Sequence, residues 1–415
     1  MVNRSRWLPK LLGSPPGAPP PRIAPPSPEP ASTGPDLPSG EPRGLGAAPV
    51  DVHASLPEAT AELTVQRARL DGAGDPVFEL SGFCCCGEDL PPARNERHGR
   101  PPRIALGTLI SGRPGGESPA RSLNRMRSWS RTKYELLGWI GRIRARHGDD
   151  LRLIIWDDSG FEIPWELLWV PAEPASGLPG GWLGALAVVT RWTTVHAPGG
   201  PLPYASADRR GGAAGYVADA MRRDRDLLAA HPLSPSLWEL ISHLETPGPG
   251  PALVYIACHG EYGSTGFDVT LDGLSVGEVD WRTFPRVADG GGLVFVNACH
   301  SGRLIDDPEY NDATTRGFAE VFLRSGAAGF LGTAGAVLED EAHRVAAHLL
   351  AGMGAPSGVG VAAALRDYRR AVAVTDLPPV ADRPRGKELL PFVSAFMYLY
   401  FGGPDTTIAL YGGGG

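Results

Sequence analysis

Two short runs in this chain end in groups able to do covalent chemistry. ALVYIAC is followed by His259-Gly260, and LVFVNAC closes on Cys299 before His300-Ser301-Gly302. A thiol within hydrogen-bonding reach of an imidazole is a nucleophile in waiting. The imidazole takes the thiol proton at neutral pH, the thiolate attacks an acyl carbon, and the imidazolium then protonates the leaving amine. Gly260 has no Cβ, so its backbone can approach a substrate closely. Its N–H, with that of Cys299, would hold the developing oxyanion. Either residue alone says little, because a Cys at the end of an apolar strand is ordinarily a small buried hydrophobe. The chemistry needs both at one edge of one sheet. His300 points to the other side of the chain from Cys299 and is not the expected base.

The elements around these runs decide whether they can meet. Both runs are short, apolar on both faces and rich in Val, Ile, Tyr and Phe, as parallel strands covered by helices are. DLRLIIWDD, WLGALAVVTRW, AGFLGTAG and FVSAFMYLYFG read as further strands, and AELTVQRARL and DPVFELSGF as an N-terminal pair. SLNRMRSWSRTKYELLGWIGRIRARHG reads as a helix with a basic last turn and a Gly stop. GYVADAMRRDRDLLAAH, SPSLWELISHL, GFAEVFLRSG, DEAHRVAAHLLAGMG and GVAAALRDYRRAVAV carry helical spacing. The alternation predicts an α/β fold with a mostly parallel sheet flanked by helices on both faces, its chemistry beyond the carboxyl ends of the strands. Residues 1–60 form a Pro/Gly-rich segment with too little apolar content to order itself. Residues 61–195 make an N-terminal half, with the stretch to about 130 readable as a separate module. Residues 196–415 make the catalytic half.

Composition narrows the classes. A net charge of -7 over 415 residues gives no basic footprint, so nucleic acid is not an expected partner. No apolar core of a signal peptide precedes Pro15, and no run approaches bilayer length, so the expectation is a cytoplasmic protein without membrane insertion. Five Cys, three of them consecutive, make a poor disulfide framework. Cys84, Cys85 and Cys86 with His98 lack metal-ligand spacing, and adjacent Cys on an extended chain point opposite ways, so no metal is expected there. GVGVAA leads into a helix with no strand before it and is not a dinucleotide site, and no cofactor is expected. A Ser nucleophile elbow is missing as well.

Beyond the His259/Cys299 pair, several stretches in order resemble the CHAT-domain cysteine peptidases, of the caspase-like clan that includes caspases, metacaspases and separase. FEIPWELL is similar to a Pro-Trp/Phe-Glu-Leu-Leu element ahead of the catalytic half. GFAEVFLRSGAAGFLGTAGAVLEDEA resembles the helix, strand and acidic turn after the Cys. GVGVAAALRDYRRAV and FVSAFMYLYFGGP resemble the later helix and the closing aromatic strand. The likeness spans about residues 140–405, with a family start near 60. It implies a caspase-like fold and an endopeptidase with Cys299 as nucleophile, His259 as general base and acid, and Gly260 and Cys299 as oxyanion donors. It further implies a protein substrate, often in bacterial defence or signalling, and control by an activating or regulatory protein, for which the Pro-rich tail is a candidate contact. VNACHSG departs from a metacaspase-like Asp-x-Cys-His-Ser-Gly in carrying Asn297 at the pocket acid. Asn297, Glu339 and Asp340 are the pocket candidates, although a solvated helix start also accounts for the acidic pair. The alternative to an enzyme is a catalytically inactive scaffold of the same shape that binds a partner protein.

Overall fold

The computed structural model describes residues 56–68, 77–91, 100–102, 104, 118–174, 176–197, 200–263, 269–306, 315–380 and 387–411. These belong to one compact unit, His53–Gly415. The tail expected over residues 1–60 lies outside the described residues up to residue 55, and so does His98.

Strands of mixed Val, Ile, Leu and aromatic residues build one eleven-stranded sheet. In chain order its members are β1 (Thr60–Ala68), β2 (Val77–Cys84), β3 (Asp89–Leu90), β4 (Arg152–Asp158), β5 (Val188–Trp192), β6 (Ala213–Val217), β7 (Leu233–Ser234) and β8 (Leu253–Ala257). A small hairpin follows, β9 (Gly260–Tyr262) and β10 (Val269–Leu271), outside the sheet. The sheet then takes β11 (Leu293–Asn297), β12 (Gly329–Thr333) and β13 (Tyr398–Gly402). Across the sheet the order is β7-β6-β8-β11-β12-β13-β5-β4-β1-β2-β3. The pairs from β7 to β12 are all parallel. So are β13 with β5, β5 with β4 and β4 with β1. β13 is antiparallel to β12, so the two parallel blocks run in opposite directions and join only through β13.

All five residues of β8 and of β11 are buried. Their side chains alternate between two cores, as a pleat requires. Val254, Ile256, Val294 and Val296 meet α3 (Leu237–Glu245) and α4 (Phe318–Arg324) on one face. Leu253, Tyr255, Leu293 and Phe295 meet α5 (Glu339–Met353) and α6 (Val361–Val372) on the other. Each fully buried side chain of this kind contributes about 1.5–3 kcal/mol. Helices on both faces are what make continuous apolar runs stable as central strands.

Three sequence readings need correction. The long helix expected over SLNRMRSW to RARHG is two helices, α1 (Pro119–Ser130) and α2 (Tyr134–His147). The Ser118 hydroxyl caps the first, and Thr132 folds back onto the Trp129 carbonyl at 2.7 Å between them. The stretch containing Gly215-Tyr216-Val217 opens not as a helix but as β6, buried between β7 and β8. FVSAFMYLYFG changes type midway, from α7 (Leu390–Met397) to β13. A segment apolar on every side has no period to distinguish the two forms.

A buried charge cluster ties the halves together. Glu166, from FEIPWELL, accepts from Arg191 Nε at 2.8 Å and Arg191 Nη2 at 2.5 Å, with both side chains almost fully enclosed. Burial pushes the Glu166 carboxyl up, but the charges of Arg191 and Arg369 outweigh it and hold it below the usual carboxylate range. Arg369, on α6 and fully buried, also donates to the Tyr398 carbonyl at 2.5 Å. Three of the stretches that carried the family resemblance therefore meet at one ion cluster.

Candidate active site

The site begins with register. β8 and β11 pair in parallel from Leu253↔Leu293 to Ala257↔Asn297. Continued by two residues, the same register sets His259 level with Cys299. The alternation that puts Tyr255 and Phe295 on the α5 face gives both the same parity. The two strands also come into close backbone contact beyond their ends. A Cβ placed on Gly260 would lie 1.8 Å from the Cys299 carbonyl oxygen, so no other residue fits without moving the cysteine. Cys258, one position earlier, is buried on the opposite face, where burial pushes its thiol far up.

Gly260 sits in the β9–β10 hairpin opposite Leu271. The Asp272 N–H donates to the His259 carbonyl at 2.9 Å, which makes Gly260–Leu271 a non-hydrogen-bonded pair. The Gly260 N–H is therefore not spent on β10. The His259 ring is exposed, and among the described residues no hydrogen bond joins it to Cys299.

Cys299 is partly buried. Its Sγ accepts from the Val337 N–H at 3.4 Å, and the thiol donates to the Val337 carbonyl at 3.6 Å. Burial pushes the thiol up, partly offset by the N–H groups of Val337 and of Cys299 itself. The turn that follows is held rigidly. The buried Ser301 hydroxyl donates to the Val296 and Ala298 carbonyls at 2.9 and 2.8 Å and accepts from the Thr333 N–H at 3.0 Å. His300 adopts φ +63, its ring 5.9 Å from Tyr262. Burial and the Arg303 charge push its imidazole down to about 4, so it is neutral at physiological pH.

Of the pocket candidates, Asn297 has no exposure. Its Nδ2 donates to Asp224 Oδ2 at 3.1 Å, the Tyr255 hydroxyl at 3.1 Å and the Ala342 carbonyl at 3.3 Å. Its Oδ1 accepts from the Tyr398 hydroxyl at 2.6 Å. The enclosed Asp224 also accepts from Tyr255 at 2.5 Å and pairs with His343 Nδ1 at 2.6 Å. Asn297 thus anchors a buried polar network two residues before the nucleophile. Sequence reading offered no signal for Asp224, and it set His343 aside because the two lie 119 positions apart. Glu339 and Asp340 are exposed at the start of α5, two and three residues beyond the Val337 that holds the thiol, and Asp340 pairs with Arg223. Nearby, a cleft of about 600 Å³ is bordered by Asp157, Ile163, Arg191, Gly302, Arg303 and Leu399. At its rim Arg303 lies 3.6 Å over the Tyr262 ring and binds Glu162.

No protein-family model and no curated protein matches the chain. Among solved structures it is similar to the Arg-specific cysteine proteinase gingipain R, at 13% identity and TM-score 0.41, over 66% of this chain and 68% of that one. The complex of Porphyromonas gingivalis RgpB pro- and mature domains matches at 13% and 0.42, over 66% and 70%. The Saccharomyces cerevisiae separase–securin complex matches at 16% and 0.38, over 68% of this chain but only 18% of that one. Among the described residues, no helix is long and apolar enough to cross a membrane.

Proposed function

We propose that this chain is a cysteine endopeptidase of the CHAT, caspase-like type, acting on a protein substrate through Cys299 and His259. The observation that carries this reading is the strand register that leaves both residues at one sheet edge, with Gly260 pressed against the Cys299 backbone. Cys299 Sγ passes its proton to the His259 imidazole and attacks the scissile carbonyl. The oxyanion is received by the N–H groups of Gly260 and Cys299. His259 then donates that proton to the leaving amine, which departs and leaves an acyl-Cys299. Water, deprotonated by His259, attacks the acyl carbon and releases the carboxylic acid, and the thiol is restored.

A second reading, a catalytically inactive scaffold, has one observation in its favour. In this structure the thiol is bound to Val337, and its proton is held more tightly than in a free cysteine. The two readings separate on one experiment. The purified full chain and its Cys299→Ala variant are incubated with a fluorogenic peptide library and, in parallel, with an acyloxymethyl ketone. Cleavage and covalent labelling at Cys299, both absent from the variant, support the endopeptidase. Cleavage that survives the substitution removes Cys299 as nucleophile, and absence of both from the wild type, with or without candidate activators, supports the scaffold.

A further inference from the structure

The three consecutive cysteines do not behave as an extended strand would have them. β2 ends at Cys84, and the chain turns at once: the Gly87 N–H donates to the Cys84 carbonyl at 2.8 Å, with Gly87 at φ +85. Such a turn needs a residue free to adopt positive φ, and glycine is one. It gathers the thiols over the last turn of α2. Cys84 Sγ lies 3.3 Å and Cys85 Sγ 3.8 Å from His147 Nε2, and the three donor atoms all fall within 4.8 Å of one another. Cys86 Sγ is 3.2 Å from Cys84 Sγ.

A tetrahedral zinc ion with ordinary Zn–S and Zn–N bonds sets its S···N edges at about 3.6 Å and its S···S edges at about 3.8 Å. The observed S···N separations bracket the first value. The ligand-bearing elements are also fixed from outside. The Trp139 indole N–H, from α2, donates to the Glu88 carbonyl at 3.0 Å, and Arg142 Nε to Glu88 Oε2 at 2.6 Å. Trp139 also packs against Gly82 of β2. The turn and the helix end therefore face each other whether or not an ion is present, as outer contacts of metal sites do. Two thiolates and an imidazole form a soft to borderline donor set, which suits zinc and excludes calcium or magnesium.

We propose that Cys84, Cys85 and His147 form a zinc-binding site, with Cys86 as the adjacent fourth thiolate, which fastens the end of β2 to the end of α2. On zinc binding the thiol protons are released to solvent, and no redox partner is needed. The site is remote in sequence from Cys299 and does not depend on the peptidase reading.

The test uses the reduced, metal-free full chain titrated with Co²⁺ and then with Zn²⁺. One Co²⁺ per chain is expected, with sulfur-to-cobalt charge-transfer bands and the intense visible bands of tetrahedral cobalt, both erased by Zn²⁺. Cys85→Ser, at an exposed position, and His147→Gln should each weaken Co²⁺ binding by about 100-fold or more. Cys299→Ala should retain full binding. Zinc should raise the melting temperature of the wild type and of Cys299→Ala but not of Cys85→Ser. The proposal fails if the reduced wild type shows no thiolate–cobalt bands, if the bands persist in both site variants, or if they vanish with Cys299→Ala.

Discussion

Asn297→Asp is the substitution on which the buried network makes its clearest demand. Asn297 donates at 3.1 Å to the carboxylate of Asp224, and neither side chain reaches solvent. An aspartate there sets two carboxylates face to face, with a repulsion of about 5 kcal/mol at an effective dielectric near 20. One of them escapes by holding a proton, which costs about 1.4 kcal/mol for each pH unit above the ordinary carboxylate range, or about 4 kcal/mol at pH 7. The protonated carboxyl has one O–H where the amide had two N–H donors, which adds about 1 kcal/mol. The expected loss at pH 7 is thus about 4–5 kcal/mol, a large share of the 5–15 kcal/mol that holds a typical domain together. The sign is specific. The introduced carboxyl binds its proton more tightly folded than unfolded, so the variant regains stability as pH falls and loses it as pH rises. Urea melts of wild type and variant across pH 5 to 8 measure this directly. A variant as stable as wild type at pH 7, or one whose loss is independent of pH, refutes the reasoning. An acid lining an open pocket would behave differently, adding cleavage after Lys or Arg with little change in stability.

Three further outcomes follow from the same contacts. Gly260→Ala should lower kcat/KM by about 100-fold or more while the far-ultraviolet circular dichroism stays that of the wild type, because the added methyl displaces the nucleophile's backbone; activity close to wild type would count against the close approach. His300 binds its proton far less readily folded than its ordinary value of 6.5. The fold should therefore lose stability as pH falls from about 6.5 towards 4, and a His300→Gln variant that keeps the wild-type slope assigns it elsewhere. Glu166→Gln leaves Arg191 buried beside an uncharged amide and should cost about 3–5 kcal/mol in chemical denaturation, and a loss below about 1 kcal/mol would mean that the pair is dispensable.

The central strands were legible because ALVYIA and LVFVN are short, apolar and bounded by turns, a pattern that only a sheet covered on both faces satisfies. Their register followed from ordinary parallel pairing, and with it the pairing of Cys299 with His259 rather than with the adjacent His300. β6 was not legible, since Ala213–Val217 runs straight into a helical pattern and only its neighbours β7 and β8 make it a strand. The enclosure of Asn297 was hidden for a different reason. Its partners Asp224, Tyr255, Ala342 and Tyr398 come from four separate segments, and no local spacing announces them. The cysteine triplet was misjudged because alternation was assumed to continue where Gly87 allows the chain to turn.

The joining of the sheet's two blocks by β13 has a consequence for the order of events during synthesis. Residues 398–402 are translated after every other strand of that sheet, and Tyr398 supplies the hydroxyl that holds Asn297. When Cys299 leaves the peptidyl-transferase centre, about 100 residues are still to be added before Tyr398, or about 5–20 s of elongation. Throughout that interval the strand that carries the nucleophile lacks its buried support, and the N-terminal block has nothing to dock against. The nascent chain therefore carries its reactive cysteine unassembled on the ribosome, and the site forms only as the last strand closes the sheet.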